Sequence, residues 1–280
     1  MIEINDFSFK YQNSHETAIS GLSLEIADGD FIGITGTSGA GKTTLTFALN
    51  GIIPQKIKGD FYGRILIDGK DTIEHEAEEF ALSVGEVFQD IDSQMVASIV
   101  EDEVLFGLEN FGIPHEEIGV RFEKVLNELG ISDLRDREIS SLSGGQKQKV
   151  AIASILALEP KYIVLDEPTG ELDPESSRDI FNLLKKLNEE KGVTVVIVEQ
   201  KIMLLCEYVK HLLVLDKGEK VFYGTADDMV GAIDKFKTIG INVPRVAELS
   251  SRLIEAGIYH GQVTLTVDDA EKMVKEIITE

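Results

Sequence analysis

Apolar and polar residues alternate along Ile2–Phe9 and again along Leu22–Ile26, the period-two pattern of strands with one buried face. Asp28-Gly29-Asp30 reads as a turn. Phe31–Thr35 is a short apolar run that leads into a glycine-rich stretch, and Thr43–Leu49 follows with helical spacing. Arg64–Ile67, closed by the turn pair Asp68-Gly69, and Val84–Phe88 predict further strands. From about Asp90 to Ile139 the period lengthens to that of helices, as in Val120–Leu129, with Gly112 and Pro114 as punctuation. Strand signals return at Tyr162–Leu165, Thr194–Val198 and Leu212–Leu215, with helical segments between them. Beyond Gly224 the segments are short and amphipathic; Thr264–Val267 is strand-like and Asp269–Ile278 helical. Strands separated by helices predict an α/β fold with a mostly parallel core sheet, a helical insertion in the middle and a small C-terminal extension.

The longest apolar stretch, Val150–Leu158, lies between Lys149 and Glu159. It is far short of the ~20 apolar residues of a membrane span and predicts a buried helix. The N-terminus has neither a basic region nor an apolar core, so no signal peptide is expected. Asp and Glu outnumber Lys and Arg by 50 to 27, a formal charge of −23 that repels phosphate backbones and makes nucleic acid an unexpected partner. A mononucleotide is not excluded, because backbone dipoles and one lysine decide its binding locally. The single cysteine, Cys206, allows no intrachain disulfide, and the five histidines are too scattered to suggest a metal site.

Gly36-Thr37-Ser38-Gly39-Ala40-Gly41-Lys42-Thr43 matches the P-loop pattern in full, between a predicted strand and a predicted helix. The glycines let the backbone curl so that successive N–H groups point at the β- and γ-phosphates of a nucleotide, and the helix dipole adds to them. Lys42 reaches the same phosphates, the Thr43 hydroxyl ligates Mg²⁺, and Thr44 supports the α-phosphate side. Tyr162–Leu165 ends in Asp166-Glu167. Asp166 is placed to hold Mg²⁺, and Glu167, one residue further, to polarise an attacking water. Leu142-Ser143-Gly144-Gly145-Gln146 opens a patterned helix 24 residues before Asp166, where free N–H groups and a hydroxyl form an anion site.

With these motifs in this order, the chain resembles the ABC ATPases over nearly its whole length. The resemblance implies a P-loop NTPase fold with an antiparallel β subdomain, divided into a nucleotide-binding core (1–89 and 155–225), a helical subdomain carrying the signature (90–154) and a C-terminal extension (226–280) that helps hold two ATPases together. It implies that Tyr11 stacks on adenine and that Gln89 is the Q-loop glutamine, a catalytic and metal-binding position. It further implies that Ser143, Gly145 and Gln146 of the signature, and Asp173 of the D-loop Glu171-Leu172-Asp173, contact ATP across a head-to-tail dimer. A narrower likeness, in Gln89–Ala97, Glu101–Asn110 with Pro114, and Gly240–Leu249, is to the ATPase subunits of energy-coupling-factor importers of cobalt, nickel and vitamins.

The chain departs from the family where most members carry a histidine against the γ-phosphate. Glu199-Gln200-Lys201 places Gln200 there, which can donate a hydrogen bond but cannot take a positive charge, so slower hydrolysis is expected. Lys149 stands where arginine is usual. The expectation is an ATP- and Mg²⁺-dependent hydrolase, peripheral at the cytoplasmic face of the membrane. Its partners would be a second ATPase protomer, a membrane-embedded subunit and a separate substrate-binding membrane subunit. Two alternatives stand beside it. One is a soluble ABC ATPase acting on nucleic acid or ribosomes, disfavoured by the 106 residues from Gly36 to Leu142 without a heptad run and by the single motif set. The other is a poorly hydrolysing nucleotide-binding partner in a heterodimer, suggested by Gln200.

Overall fold

The alternating N-terminal segments pair as a hairpin because each has one face to bury. The computed structural model describes residues 1–279. In it β1 (Ile2–Tyr11) lies antiparallel between β2 (Ile19–Ile26) and β4 (Gly59–Ile67), and β5 (Lys70–Asp71) completes a four-stranded sheet in the order β2-β1-β4-β5. The second sheet contains β3 (Phe31–Gly36), β6 (Val84–Val87), β7 (Tyr162–Asp166), β8 (Thr194–Val198), β9 (His211–Asp216) and β10 (Glu219–Gly224) in the order β10-β9-β3-β8-β7-β6. All its pairings are parallel except the β9–β10 hairpin.

The central strands β7 and β8 are buried at every position, and apolar but for Asp166 and Thr194 at their ends, because both faces of the sheet are covered. Val164, Val196, Val198 and Leu213 face one core, shared with the helix Lys42–Leu49 and the antiparallel sheet. Ile163, Leu165, Val195 and Ile197 face the other. That second core takes in the helices Val100–Asn110, His115–Leu129, Gly144–Leu156 and Pro174–Lys191, together with Met229, Ile233 and Phe236 of the C-terminal region. The helical insertion and the sheet therefore share one apolar interior. They approach tightly at Gly85 of β6, where a Cβ would fall 1.9 Å from Ile155 Cγ2.

Several expected boundaries shift. β4 begins at Gly59 rather than Arg64, since its first residues gain partners as far as Tyr11 in β1. The hairpin strand β10 escapes the alternation pattern, and its signal is the Lys217-Gly218 turn, both residues in the left-handed region that a tight hairpin needs. The expected strand Thr264–Val267 does not form. Its backbone has no neighbouring strand, and its polar groups bond elsewhere: Thr264 N donates to Ser250 Oγ at 3.0 Å, and Thr266 Oγ1 accepts from Asp269 N at 3.2 Å at the start of the helix Val267–Thr279. β-branched residues without a sheet to join become caps and packing here.

Candidate nucleotide-binding site

β3 delivers the chain from the middle of the sheet into the glycine-rich loop, and the helix Lys42–Leu49 takes it away. Gly41 turns the corner at φ +94°, and a Cβ there would lie 2.3 Å from the Ala18 carbonyl oxygen, so only glycine fits. Lys42 arches back over the loop and donates to Thr37 O at 2.9 Å and Gly36 O at 3.2 Å. Thr37 Oγ1 donates to Asp216 Oδ1 at 2.7 Å, which anchors the loop to the end of β9. Above it opens a cavity of about 410 Å³ lined by Tyr11, Ala18, residues 38–44, Gln89, Glu167 and Gln200. Tyr11 stands at its edge, half-buried, with its hydroxyl 2.9 Å from Thr44 Oγ1.

β7 ends beneath this cavity. Asp166 is buried and accepts from Thr43 Oγ1 at 2.6 Å. Burial pushes its carboxyl above the usual range, and the Thr43 hydrogen bond opposes that shift. A hydroxyl and a carboxylate at this spacing offer hard oxygen donors that suit Mg²⁺. Among the described residues there is no group of three or more acidic, histidine or cysteine side chains to cage a metal. Magnesium takes one or two carboxylates and leaves its other positions to phosphate and water.

Glu167 turns the chain with φ +48°, a backbone strain of about 1–3 kcal/mol for a residue with a Cβ. Its N–H donates to Val198 O at 2.9 Å, which holds the turn. The carboxylate stands between two amides: Gln200 Nε2 donates to Oε1 at 2.7 Å and Gln89 Nε2 to Oε2 at 3.2 Å. Sequence reasoning reached these three residues and missed the layer that positions Gln200. Glu199, 1% exposed, accepts from the Thr169 hydroxyl, from Gln200 N at 2.8 Å and from Lys201 N at 3.2 Å. Lys201 Nζ donates to Thr169 O at 2.6 Å, Leu172 O at 3.1 Å and Ser177 Oγ at 2.8 Å, which fixes the loop after Glu167. The available signal was the charged pair flanking Gln200 just after the apolar run 195–198.

The remaining predicted residues lie elsewhere in the chain. Ser143 caps the helix Gly144–Leu156, accepting from Gln146 N at 3.3 Å while Gln146 Oε1 accepts from Ser143 N at 3.0 Å. Ser143, Gly145 and Gln146 line a separate cavity of about 230 Å³ with Lys149 and Ser176, and none of them lines the cavity above Lys42. Asp173 caps the helix Pro174–Lys191, accepting from Glu175 N at 2.9 Å and Ser176 N at 3.0 Å. One chain thus joins the P-loop, Asp166, Glu167, Gln89, Gln200 and Tyr11, and leaves Ser143, Gly145, Gln146 and Asp173 outside that cavity.

Residues 19–170 match the ABC transporter family model. The chain is 41% identical over 281 residues to the energy-coupling factor transporter ATP-binding protein EcfA1 of Clostridioides difficile, covering 99% of this chain and 98% of that protein. Among solved structures it resembles cbiO1 of Clostridium perfringens, described as part of the ABC transporter complex cbiONQ, with a TM-score of 0.76 and 32% identity over 89% of this chain and 98% of that one. It also resembles the dimeric ABC transporter cassette MJ0796, with a TM-score of 0.70 and 30% identity over 81% of this chain and 99% of that one. A P-loop under a carboxylate-tipped strand, in a fold shared nearly end to end with such cassettes, places the chain in the ABC transporter family, as an ATP-binding subunit whose ATP hydrolysis is coupled to transport.

Proposed function

We propose that this ATPase energises an energy-coupling-factor importer of metal ions or vitamins from the cytoplasmic face of the membrane. In this reading it works with a second ATPase protomer, identical or related, a membrane-embedded subunit and a separate substrate-binding membrane subunit. The near full-length likeness to EcfA1 and to cbiO1 supports the importer class. Among the described residues no helix is long and apolar enough to cross a membrane, so the transport path belongs to partners. Val96 (62% exposed) and Phe106 (50%) of the helical insertion are apolar side chains open to such a partner.

The observation that carries the catalytic reading is Glu167 held over the P-loop cavity by two side-chain amides. Lys42 leaves its loop carbonyls for the β- and γ-phosphates, and the N–H groups of residues 38–44 cradle them. Tyr11 offers its ring to adenine. Thr43, Asp166 and Gln89 would hold Mg²⁺, which when bound neutralises charge developing on the phosphates. Glu167 takes a proton from the attacking water, whose oxygen bonds to the γ-phosphorus as the bond to the ADP oxygen breaks. Gln200 donates a hydrogen bond to the γ-phosphate or the water and carries no charge while doing so. Ser143, Gly145, Gln146 and Asp173 complete the site from the facing protomer, which accounts for their distance from Lys42 in one chain.

The test is Glu167→Gln. Hydrolysis is expected to fall by roughly a hundredfold or more while ATP binding persists, and the variant should accumulate as a dimer in MgATP. Continued turnover, or a monomer in saturating MgATP, rejects this assignment. Gln200 keeps a second reading in view, a slowly hydrolysing partner in a heterodimer. Normal ATP binding with negligible turnover by the unaltered chain in every assembly would favour that one.

A further inference from the structure

β6 is the free edge of the six-stranded sheet, so the backbone groups on its outer side face no strand. In a parallel pair these groups come from alternate residues. Two of them, Glu86 O and Phe88 N, are met by one side chain: Gln94 Nε2 donates to Glu86 O at 3.0 Å, and Gln94 Oε1 accepts from Phe88 N at 2.9 Å. A single carboxamide makes the two bonds that the N–H and C=O of one residue of a seventh, parallel strand would make. The residue after Phe88 is Gln89, whose amide reaches Glu167.

Gln94 closes the short helix Ile91–Gln94. In the same turn Asp92 Oδ1 accepts from Lys147 Nζ at 2.6 Å, and Lys147 N donates to Ser143 O at 2.9 Å in the first turn of the helix Gly144–Leu156. A short chain of bonds therefore runs from Ser143 through Lys147, Asp92 and Gln94 to Phe88 and Gln89, and ends on the Glu167 carboxylate. The glutamine amide supplies a donor and an acceptor side by side on one planar, uncharged group. Glutamate would keep the acceptor for Phe88 N but set an oxygen against Glu86 O.

We propose that Gln94 is a positioning residue: by serving as the missing strand neighbour of β6 it fixes Gln89 against Glu167, and through the Asp92–Lys147 pair it ties that position to the helix that Ser143 caps. This rests on the catalytic reading of Glu167 and Gln89 above.

Two measurements on the full chain test it, the second made with its membrane partners assembled. The first is amide hydrogen exchange across residues 86–90. Gln94→Ala should speed exchange at Phe88 by roughly fivefold or more, whereas Gln94→Glu, which retains an acceptor, should protect that amide better than alanine does. The second is steady-state hydrolysis. Gln94→Ala should lower kcat by roughly tenfold or more with KM for ATP within about twofold. Combined with Gln89→Ala, it should cost little beyond Gln89→Ala alone, because it acts through that side chain. A merely structural role predicts multiplicative losses and a matching fall in thermal stability. Unchanged exchange at Phe88, or independent effects of the two variants, overturns the proposal. Should Gln94→Ala fail to fold, Gln94→Glu carries both measurements. Glu167→Gln run alongside keeps the two readings apart: hydrolysis persisting in that variant sinks the catalytic reading, while the exchange result still decides Gln94.

Discussion

Glu86 shows what a single residue can carry in this fold. It points from β6 toward the core shared with the helix Lys42–Leu49, and neither carboxyl oxygen makes a well-formed hydrogen bond. Burial pushes its carboxyl up to about 8, with a Thr46 contact opposing the shift and the Asp166 charge adding to it. A carboxyl whose pKa is raised by folding binds its proton more tightly in the native state. Its stabilising contribution is complete below its ordinary value of 4.5 and is lost as pH climbs through about 8. For one proton the loss is at most about 1.4 kcal/mol per pH unit. Glu86→Gln removes that dependence. Thermal unfolding at pH 5, 7 and 9 should therefore show the variant gaining on the parent as pH rises, and a pH-independent difference would contradict the buried acid. The residues with chemistry of their own, Lys42, Thr43, Asp166 and Glu167, were legible in the sequence because phosphate binding demands fixed spacing. Gln94 and Lys201 were not, since each works through backbone atoms outside its own element, eight residues away for Gln94 and 32 for Lys201, that no hydrophobic pattern announces.

Among the elements, the contact of the helix Gly144–Leu156 with β6 is the most exacting. Gly85 leaves no room for a methyl group beside Ile155, whose branched Cγ2 sits close to its own backbone and cannot swing away as a flexible tip would. Gly85→Ala is expected to destabilise the chain by about 1–3 kcal/mol, read as a lower urea midpoint at unchanged m-value. A neutral result would mean that the helix can shift on the sheet. Strands of the parallel sheet were readable as apolar runs because both their faces are buried. Thr264–Val267 misled for the same reason in reverse: its composition suits a strand, but a strand needs an edge to pair with, and here the segment packs between helices instead.

For the molecule as a whole, the charge of −23 opposes self-association, while the C-terminal helix Val267–Thr279 leaves apolar side chains exposed. Val267, Val274 and Ile278 recur at seven- and four-residue steps, are 57%, 39% and 78% exposed, and form a stripe beside the buried Ala270 and Met273. If this apolar face helps to join two copies, as proposed for the extension, then Val274→Asp with Ile278→Asp should weaken the MgATP-dependent dimer by roughly tenfold or more in sedimentation while leaving ATP binding intact. Added salt should strengthen the parent dimer by screening like charges. An unaltered dimer in the double variant would assign the association to other surfaces.

The sequence by itself determined the chemistry and the order of parts: a phosphate loop, two consecutive carboxylates at a strand end, a serine-capped helix and a glutamine in a histidine's place. These are set by short-range geometry, because a loop that cradles phosphate or a helix that needs a cap leaves its requirement in neighbouring residues. Only the tertiary structure decided that Gln89 and Gln200 flank Glu167, and that Ser143 and Asp173 stand apart from Lys42. It alone placed Gln94 as the completion of a sheet edge. Such relations join separate elements, some far apart in the chain as Gln89 and Gln200 are from Glu167, and they are fixed by how the sheet and helices pack.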